Sequence, residues 1–136
     1  MDVKFPFEDN GDGVFGRIFR PIAKVTFKSP HIDISVDAWM IVDTGADYTL
    51  LPKYYSQKLG ISLQKDCAVF GTTGIGGEEK VYFLKRIKVK LGNWERNIPI
   101  GFLNRDDIPP LMGRHLFLET FKATFSPNHT LTFTTK

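Results

Sequence analysis

The chain has little that would form a disulfide-rich or metal-dependent fold, because its 136 residues include one cysteine, Cys67, and three histidines. A single cysteine excludes an intrachain disulfide and a cysteine-based metal cluster, and it is typical of a reducing compartment. His31, His115 and His129 are far apart in the sequence and lack the spacing of metal ligands. We therefore expect a cytoplasmic protein that needs no metal and no other cofactor.

Long hydrophobic runs are also absent from the sequence. No run approaches the roughly 20 apolar residues that a membrane span requires. Acidic residues interrupt the first 20 positions, where a signal peptide has its apolar region. The net charge of +3 is small for 18 basic and 15 acidic residues, so it does not by itself indicate an anionic partner. We expect no membrane association.

Hydrophobic and polar residues alternate with a period of two along residues 23–27, 32–38 and 87–91, as in half-buried strands. Helical signals are few. Pro52 followed by residues 53–59 and Gly60 predicts one short helix, and residues 114–121 predict a second. The sequence thus predicts an all-β fold, a barrel or a sandwich, with one or two short helices.

The chain length suits a single domain. Residues 1–20 show no clear period and are interpreted as a loosely packed N-terminal extension, which leaves 21–136 as the domain. Residues 71–77 are rich in glycine and lie between two strand-like segments, so we predict that they form the tip of a hairpin. A second hairpin is predicted across residues 126–129.

One apolar segment ends abruptly in polar residues. Residues 39–42 are hydrophobic on both faces, as expected of a strand within the core, and Asp43, Thr44 and Gly45 follow directly. This order places an ionisable group at the edge of the core, as active sites often do. The alternative is an acid that caps a turn at the end of a strand.

Three motifs occur in series: Ile41-Val42-Asp43-Thr44-Gly45-Ala46, the glycine-rich segment 71–77, and Leu111-Met112-Gly113-Arg114. In this order they resemble the retropepsin-like aspartic proteases, and the resemblance covers about residues 21–133. It implies an acid protease barrel that acts as an aspartic endopeptidase on peptides or proteins. Peptide hydrolysis of this kind uses two carboxylates a few Å apart, one to activate water and one to protonate the carbonyl oxygen. Since the chain has one Asp-Thr-Gly, we expect a homodimer with the site on its two-fold axis.

The resemblance also implies roles for individual residues. Asp43 is then catalytic, the Thr44 hydroxyl bonds across the dimer axis, and Gly45 permits a close approach of the two backbones. Ala46 has no hydroxyl to offer the carboxylates, which implies activity at mildly acidic to near-neutral pH. Asp47 is expected to bind the substrate backbone.

Further positions match the structural motif and the substrate-binding surface. Arg114 is expected to pair with Asp47, and Gly113 precedes it in the motif. Tyr48 stands where relatives usually have an acid, and His115 where they have Asp or Asn, so we expect altered side-chain preference near Tyr48. The remaining substrate-binding positions are the covering residues Gly74, Ile75 and Gly76 and the subsite walls Ile108 and Leu111. Core packing is the alternative for the last two.

Two other functions are compatible with the sequence. A dimer of the same fold could bind peptides or act as a scaffold with little or no cleavage. A nucleic-acid-binding barrel could use the basic strand with Lys85, Arg86, Lys88 and Lys90. Alternation of those residues with Ile87 and Val89 favours the solvated face of a half-buried strand, and the sequence therefore predicts no nucleic-acid partner.

Overall fold

The computed structural model describes residues 2–74 and 77–135, and strands dominate this part of the chain. In chain order the strands are β1 (Asp2–Pro6), β2 (Glu8–Gly13), β3 (Gly16–Arg20), β4 (Ile22–Lys28), β5 (Ser35–Val42), β6 (Leu50–Leu51), β7 (Ala68–Gly74), β8 (Gly77–Leu91), β9 (Trp94–Leu103), β10 (Leu111–Met112), β11 (Phe121–Ser126) and β12 (Thr130–Thr135). The helices are α1 (Lys53–Lys58) and α2 (Leu63–Asp66), and a 3-10 turn spans Leu118–Thr120. The predicted all-β fold with short helices is confirmed.

The main sheet closes into a barrel. Its strand order is β4-β5-β10-β6-β9-β8-β7, and β4 also pairs with β8, where Phe27 lies opposite Val89. Closure pairs both edges of the barrel strands and leaves β7, which pairs with β8, at the end of the sheet. The alternating residues of these strands point inward, so that Phe27, Met40 and Phe102 are fully buried in one core.

Strand β5 differs from its prediction in two ways. It begins at Ser35, because residues 29–34 form a turn in which the buried Ser29 hydroxyl accepts from the Ile32 amide (3.1 Å) and donates to the Leu59 carbonyl (2.6 Å). Its side chains alternate strictly, so Trp39 is 53% exposed and contacts Phe5 edge-on. The prediction that residues 39–42 are buried on both faces is therefore wrong.

The helices also differ in part from the sequence prediction. Helix α1 is confirmed, and Gly60 follows it with a positive φ of 66°. Helix α2 was not predicted. The helix predicted over residues 114–121 is wrong, because Leu116 adopts a left-handed backbone (φ 55°) and only the 3-10 turn forms. This bend buries Phe117 against Trp94 and Phe121.

Residues 2–20 contain three strands, so the expectation of loose packing is wrong for residues 2–6. Strand β1 pairs antiparallel with β12 in a three-stranded sheet of order β1-β12-β11, and Phe5 packs edge-on against Phe133. Strands β2 and β3 form a separate hairpin. The predicted hairpin of β11 and β12 is confirmed, whereas the domain boundary at residue 20 stays a prediction.

None of the described helices has the length and apolar character of a membrane span.

Candidate active site

Strand β5 carries Asp43 at its end, where three chain segments meet. The Val42 amide donates to the Pro21 carbonyl at 3.0 Å, and the Asp43 amide donates to the Met112 carbonyl at 3.1 Å. Strand β10 runs parallel to β5 with Met112 opposite Val42. Asp43 is therefore fixed by the backbone on both sides of its strand and lies half-buried at the rim of the core.

The turn after β5 orients the Asp43 carboxylate. The Gly45 amide donates to Asp43 Oδ1 at 2.9 Å, and the Ala46 amide donates to the Asp43 carbonyl at 3.2 Å. A Cβ atom on Gly45 would lie 3.3 Å from the same Oδ1, so glycine suits this tight turn. Thr44 and Gly45 are exposed at its tip, where a second molecule has access to them.

Below this turn, the loop with Thr49 is locked to the loop with Gly113. Thr49 is 1% exposed; its hydroxyl accepts from the Gly113 amide at 3.1 Å, and its carbonyl accepts from the Gly101 amide at 2.9 Å. A Cβ atom on Gly113 would lie 2.2 Å from the Tyr48 carbonyl oxygen. Position 113 therefore requires glycine. Sequence reasoning missed Thr49, whose only signal is a polar residue directly before the apolar pair of β6.

Asp47 and Arg114 form the predicted pair. The Arg114 guanidinium donates to the Asp47 carboxylate, and its Nε donates to the Ala46 carbonyl at 3.4 Å. The backbones also pair, because the amides of Arg114 and His115 donate to the carbonyls of Ala46 (3.0 Å) and Asp47 (2.8 Å). Both charged side chains are about half exposed or more, so the pair contributes more to geometry than to stability.

Two cavities share Tyr48, the residue that follows Asp47. A polar cavity of about 240 Å³ is lined by Asp47, Tyr48, Arg114, His115 and Glu119. An apolar cavity of about 380 Å³ is lined by Tyr48, Phe70, Gly71 and Phe83. The Tyr48 ring contacts Phe83 edge-on with centroids 5.1 Å apart and His115 at 5.9 Å. Tyr48 thus joins a cluster of aromatic rings with Phe70 and Phe83.

Sequence reasoning missed Phe70 and Phe83 at this site. They lie on β7 and β8, where Phe70 contacts Phe83 with ring centroids 5.7 Å apart, and both rings are far in sequence from Tyr48. Phe70 is 56% exposed. The available signal was an aromatic residue on each side of a predicted hairpin, but the partner of such residues depends on how the hairpin folds over the barrel.

The predicted hairpin is confirmed in its pairing. Strands β7 and β8 pair from Ala68 opposite Phe83 to Gly74 opposite Gly77. Ile75 and Gly76, the predicted covering residues, lie outside the described residues. Gly74 is the last described residue of β7, and its role in substrate binding stays a prediction.

The proposed subsite walls lie on or next to β10. Leu111 is half-buried within the sheet, opposite Ile41 and Leu50. Ile108 is half-buried in the preceding loop. Their contact with substrate stays a prediction.

The loop that carries Ile108 is held by Arg105. Its guanidinium donates to Asp107 at 2.5 Å and 3.0 Å and to Glu79 of β8 at 3.1 Å. The Arg105 guanidinium also holds the pKa of Asp107 below its usual value. The loop before β10 is thus tied to the strand that carries Phe83.

Within the described part of the chain, no three side chains of His, Cys, Asp or Glu are grouped to hold a metal ion.

Comparisons with known proteins agree with this fold. A profile of the aspartyl protease family matches residues 25–116. A retropepsin-like aspartic protease from Rickettsia conorii has a similar fold, with a TM-score of 0.64, 24% identity and coverage of 97% of this chain and 98% of that chain. EIAV protease complexed with the inhibitor HBY-793 has a TM-score of 0.54 and 21% identity over 71% of this chain and 84% of its own. No curated protein matches the chain in sequence.

Proposed function

Since the chain belongs to the aspartyl protease family and has a retropepsin-like fold, we propose that it is an aspartic endopeptidase acting as a homodimer. The observation that carries this proposal is the Asp43 carboxylate, which the Gly45 amide holds at 2.9 Å at the end of a core strand. Asp47, the next acid in the sequence, is engaged by Arg114. Because the chain has one Asp-Thr-Gly motif, the second carboxylate in this proposal comes from another copy of the chain.

In this mechanism two Asp43 carboxylates face each other across the two-fold axis. Like charges so close do not both ionise readily, so the pair holds one proton between them. The ionised carboxylate takes a proton from water, whose oxygen attacks the peptide carbonyl carbon, while the other carboxyl protonates the carbonyl oxygen. The tetrahedral intermediate then breaks its C–N bond as a proton passes to the leaving nitrogen.

Thr44 and Gly45 suit the close approach that this dimer requires. Both are exposed at the tip of the Asp43 turn, and no side chain on Gly45 separates the two backbones. We propose that the Thr44 hydroxyl bonds to the partner's turn and that Gly45 lets the carboxylates come within a few Å. Ala46 offers the carboxylate no hydroxyl, in keeping with activity at mildly acidic to near-neutral pH.

We propose that the substrate is a peptide with large hydrophobic residues near the cut bond. The apolar cavity of about 380 Å³ is lined by Tyr48, Phe70 and Phe83, and it is of the size that binding pockets usually have. Asp47 would bind the peptide backbone, and Ile108 and Leu111 would add apolar walls. Residues Gly74, Ile75 and Gly76 would cover the bound peptide and exclude water.

The partners in this proposal are a second copy of the chain and the peptide, without metal, cofactor, nucleic acid or membrane. The single cysteine favours the cytoplasm as its location. The competing function is a dimer of the same fold that binds peptides but cleaves them slowly or not at all.

The deciding experiment compares wild type with Asp43→Asn on a diverse peptide library from about pH 4 to about pH 7, which brackets paired carboxylates. We expect cleavage by wild type and none by Asp43→Asn. Asp33→Asn is the matched control, because the Asp33 side chain is fully exposed in the β4–β5 turn. Equal cleavage by wild type and Asp43→Asn, or none by a wild-type dimer, would overturn the proposal, and the second result would favour the binding dimer.

A further inference from the structure

The hairpin of β2 and β3 carries two large hydrophobic residues at its tip. Val14 is 92% exposed and Phe15 is 101% exposed, between Gly13 and Gly16. Among the described residues, β2 and β3 pair with each other and with no other strand. Isolated two-stranded hairpins are marginally stable in water, and the two adjacent tip residues together form an exposed apolar patch, which is typical of an interaction site.

The base of the hairpin, in contrast, is firmly attached. The Phe7 amide donates to the His129 carbonyl at 2.8 Å, and Phe19 stacks on the His129 ring with centroids 4.0 Å apart. Within the hairpin, Arg17 forms an ion pair with Asp9 at 2.7 Å. These contacts fix the direction in which the hairpin leaves the barrel.

The hairpin leaves the barrel next to the candidate active site. Pro21 follows β3 directly, and its carbonyl accepts from the Val42 amide, one residue before Asp43. Strand β2 has six residues, which corresponds to about 20 Å of extended chain. The tip therefore lies within about 20 Å of Pro21, close enough to contact a second copy placed at the Asp43 turn.

We propose that this hairpin is a dimerisation arm, whose tip residues Val14 and Phe15 bury themselves on a second copy of the chain. The inference rests on the proposed function, because the shared active site places the second copy at the Asp43 turn. Two-fold symmetry makes the contact reciprocal, so each copy gives one arm and receives one. The arms add apolar contact at the periphery of the interface that aligns the two Asp43 carboxylates.

The test measures the dimer dissociation constant of the full chain by sedimentation over a range of concentrations. Wild type is compared with the double variant Val14→Ser/Phe15→Ser. Loss of the apolar contact from both arms is expected to raise the dissociation constant by about 100-fold. Peptide cleavage should fall at low protein concentration and recover when the concentration is raised.

The matched control is Ile32→Ser/Ile34→Ser. These residues are 48% and 40% exposed and lie in the turn at the far end of β4 from Pro21, so their loss should leave dimerisation unchanged. Thermal unfolding should be the same for the tip variant and wild type at a concentration where both are monomeric, because the tip contributes no buried contact within one chain.

The outcomes separate the arm from the proposed function. An unchanged dissociation constant in the tip variant, or a wild type that remains monomeric, overturns the arm. Loss of binding to phosphatidylserine vesicles with unchanged dimerisation also overturns it and assigns the tip to a membrane. A weakened dimer in a protein that cleaves no peptide supports the arm and contradicts the protease.

Discussion

The Asp43 turn and the β2–β3 hairpin lie side by side but are held in different ways. The turn is bonded to two other segments, at Pro21 and Met112, and is closed internally by its own Gly45 amide. The hairpin is attached through its base at His129, and its tip is exposed. One chain thus fully orients its half of the candidate site, whereas the neighbouring hairpin has apolar surface left to bury. Substitutions in the two regions should therefore differ in what they destabilise.

The largest effect on stability is expected from Gly113→Ala, which disturbs the contact between the Gly113 loop and the Thr49 loop below the Asp43 turn. The new Cβ atom would lie 2.2 Å from the Tyr48 carbonyl oxygen, and neither backbone moves without breaking the bonds around Thr49. We expect a loss of about 3 kcal/mol or more in the free energy of unfolding, measured by urea denaturation. Gly71→Ala is the control, since its Cβ atom meets nothing within 4 Å. Similar losses of unfolding free energy in both variants would contradict a tight contact between the Gly113 and Thr49 loops.

A smaller effect is expected from Thr49→Val, which keeps the shape of the buried side chain but removes its hydroxyl. The Gly113 amide then loses its acceptor in a buried place, at a cost of about 2 kcal/mol in the free energy of unfolding. Thr49→Ser keeps the hydroxyl and should lose about 1 kcal/mol with its methyl group. A valine variant as stable as the serine variant would show that this bond is unimportant.

The smallest effect on global stability is expected from Phe19→Ala, which loosens the base of the hairpin. Its ring is half-buried against His129, so the unfolding free energy should fall by about 1 kcal/mol or less. Trypsin should nevertheless cleave after Arg17 several-fold faster, because local opening becomes easier. Ile18→Ala, on the same strand, is the control. Unchanged proteolysis in Phe19→Ala would mean that the His129 stack does not hold the hairpin.

Local patterns in the sequence were sufficient for much of the barrel. Alternation located β4 and β8, Pro52 and Gly60 bounded α1, and the Asp43 motif was placed at the end of a strand. The helix predicted over residues 114–121 failed because Leu116 bends to let Phe117 reach Trp94, a contact that depends on the folded barrel. Propensity does not include such tertiary contacts.

The remaining misses have the same physical origin. Thr49 acts through a hydrogen bond to a residue 64 positions away, and Tyr48 meets Phe83 only after β8 has folded onto the barrel. The β2–β3 hairpin escaped notice because both of its faces are largely exposed, so its residues show no alternation. Alternation in the sequence reveals a strand when one of its faces is buried. It gives no signal for a strand that no other part of its own chain covers.

The most direct test of a shared active site is the activity of mixed dimers. Wild type and Asp43→Asn are mixed in equal amounts, allowed to exchange subunits, and assayed on a cleaved peptide. If each site needs two Asp43 residues, only the dimers of two wild-type chains are active, and random pairing makes these about a quarter of all dimers. The mixture should then have about a quarter of the activity of a sample with the same total protein concentration that is all wild type. If each chain acts alone, about half of that activity remains, and this result would contradict the account.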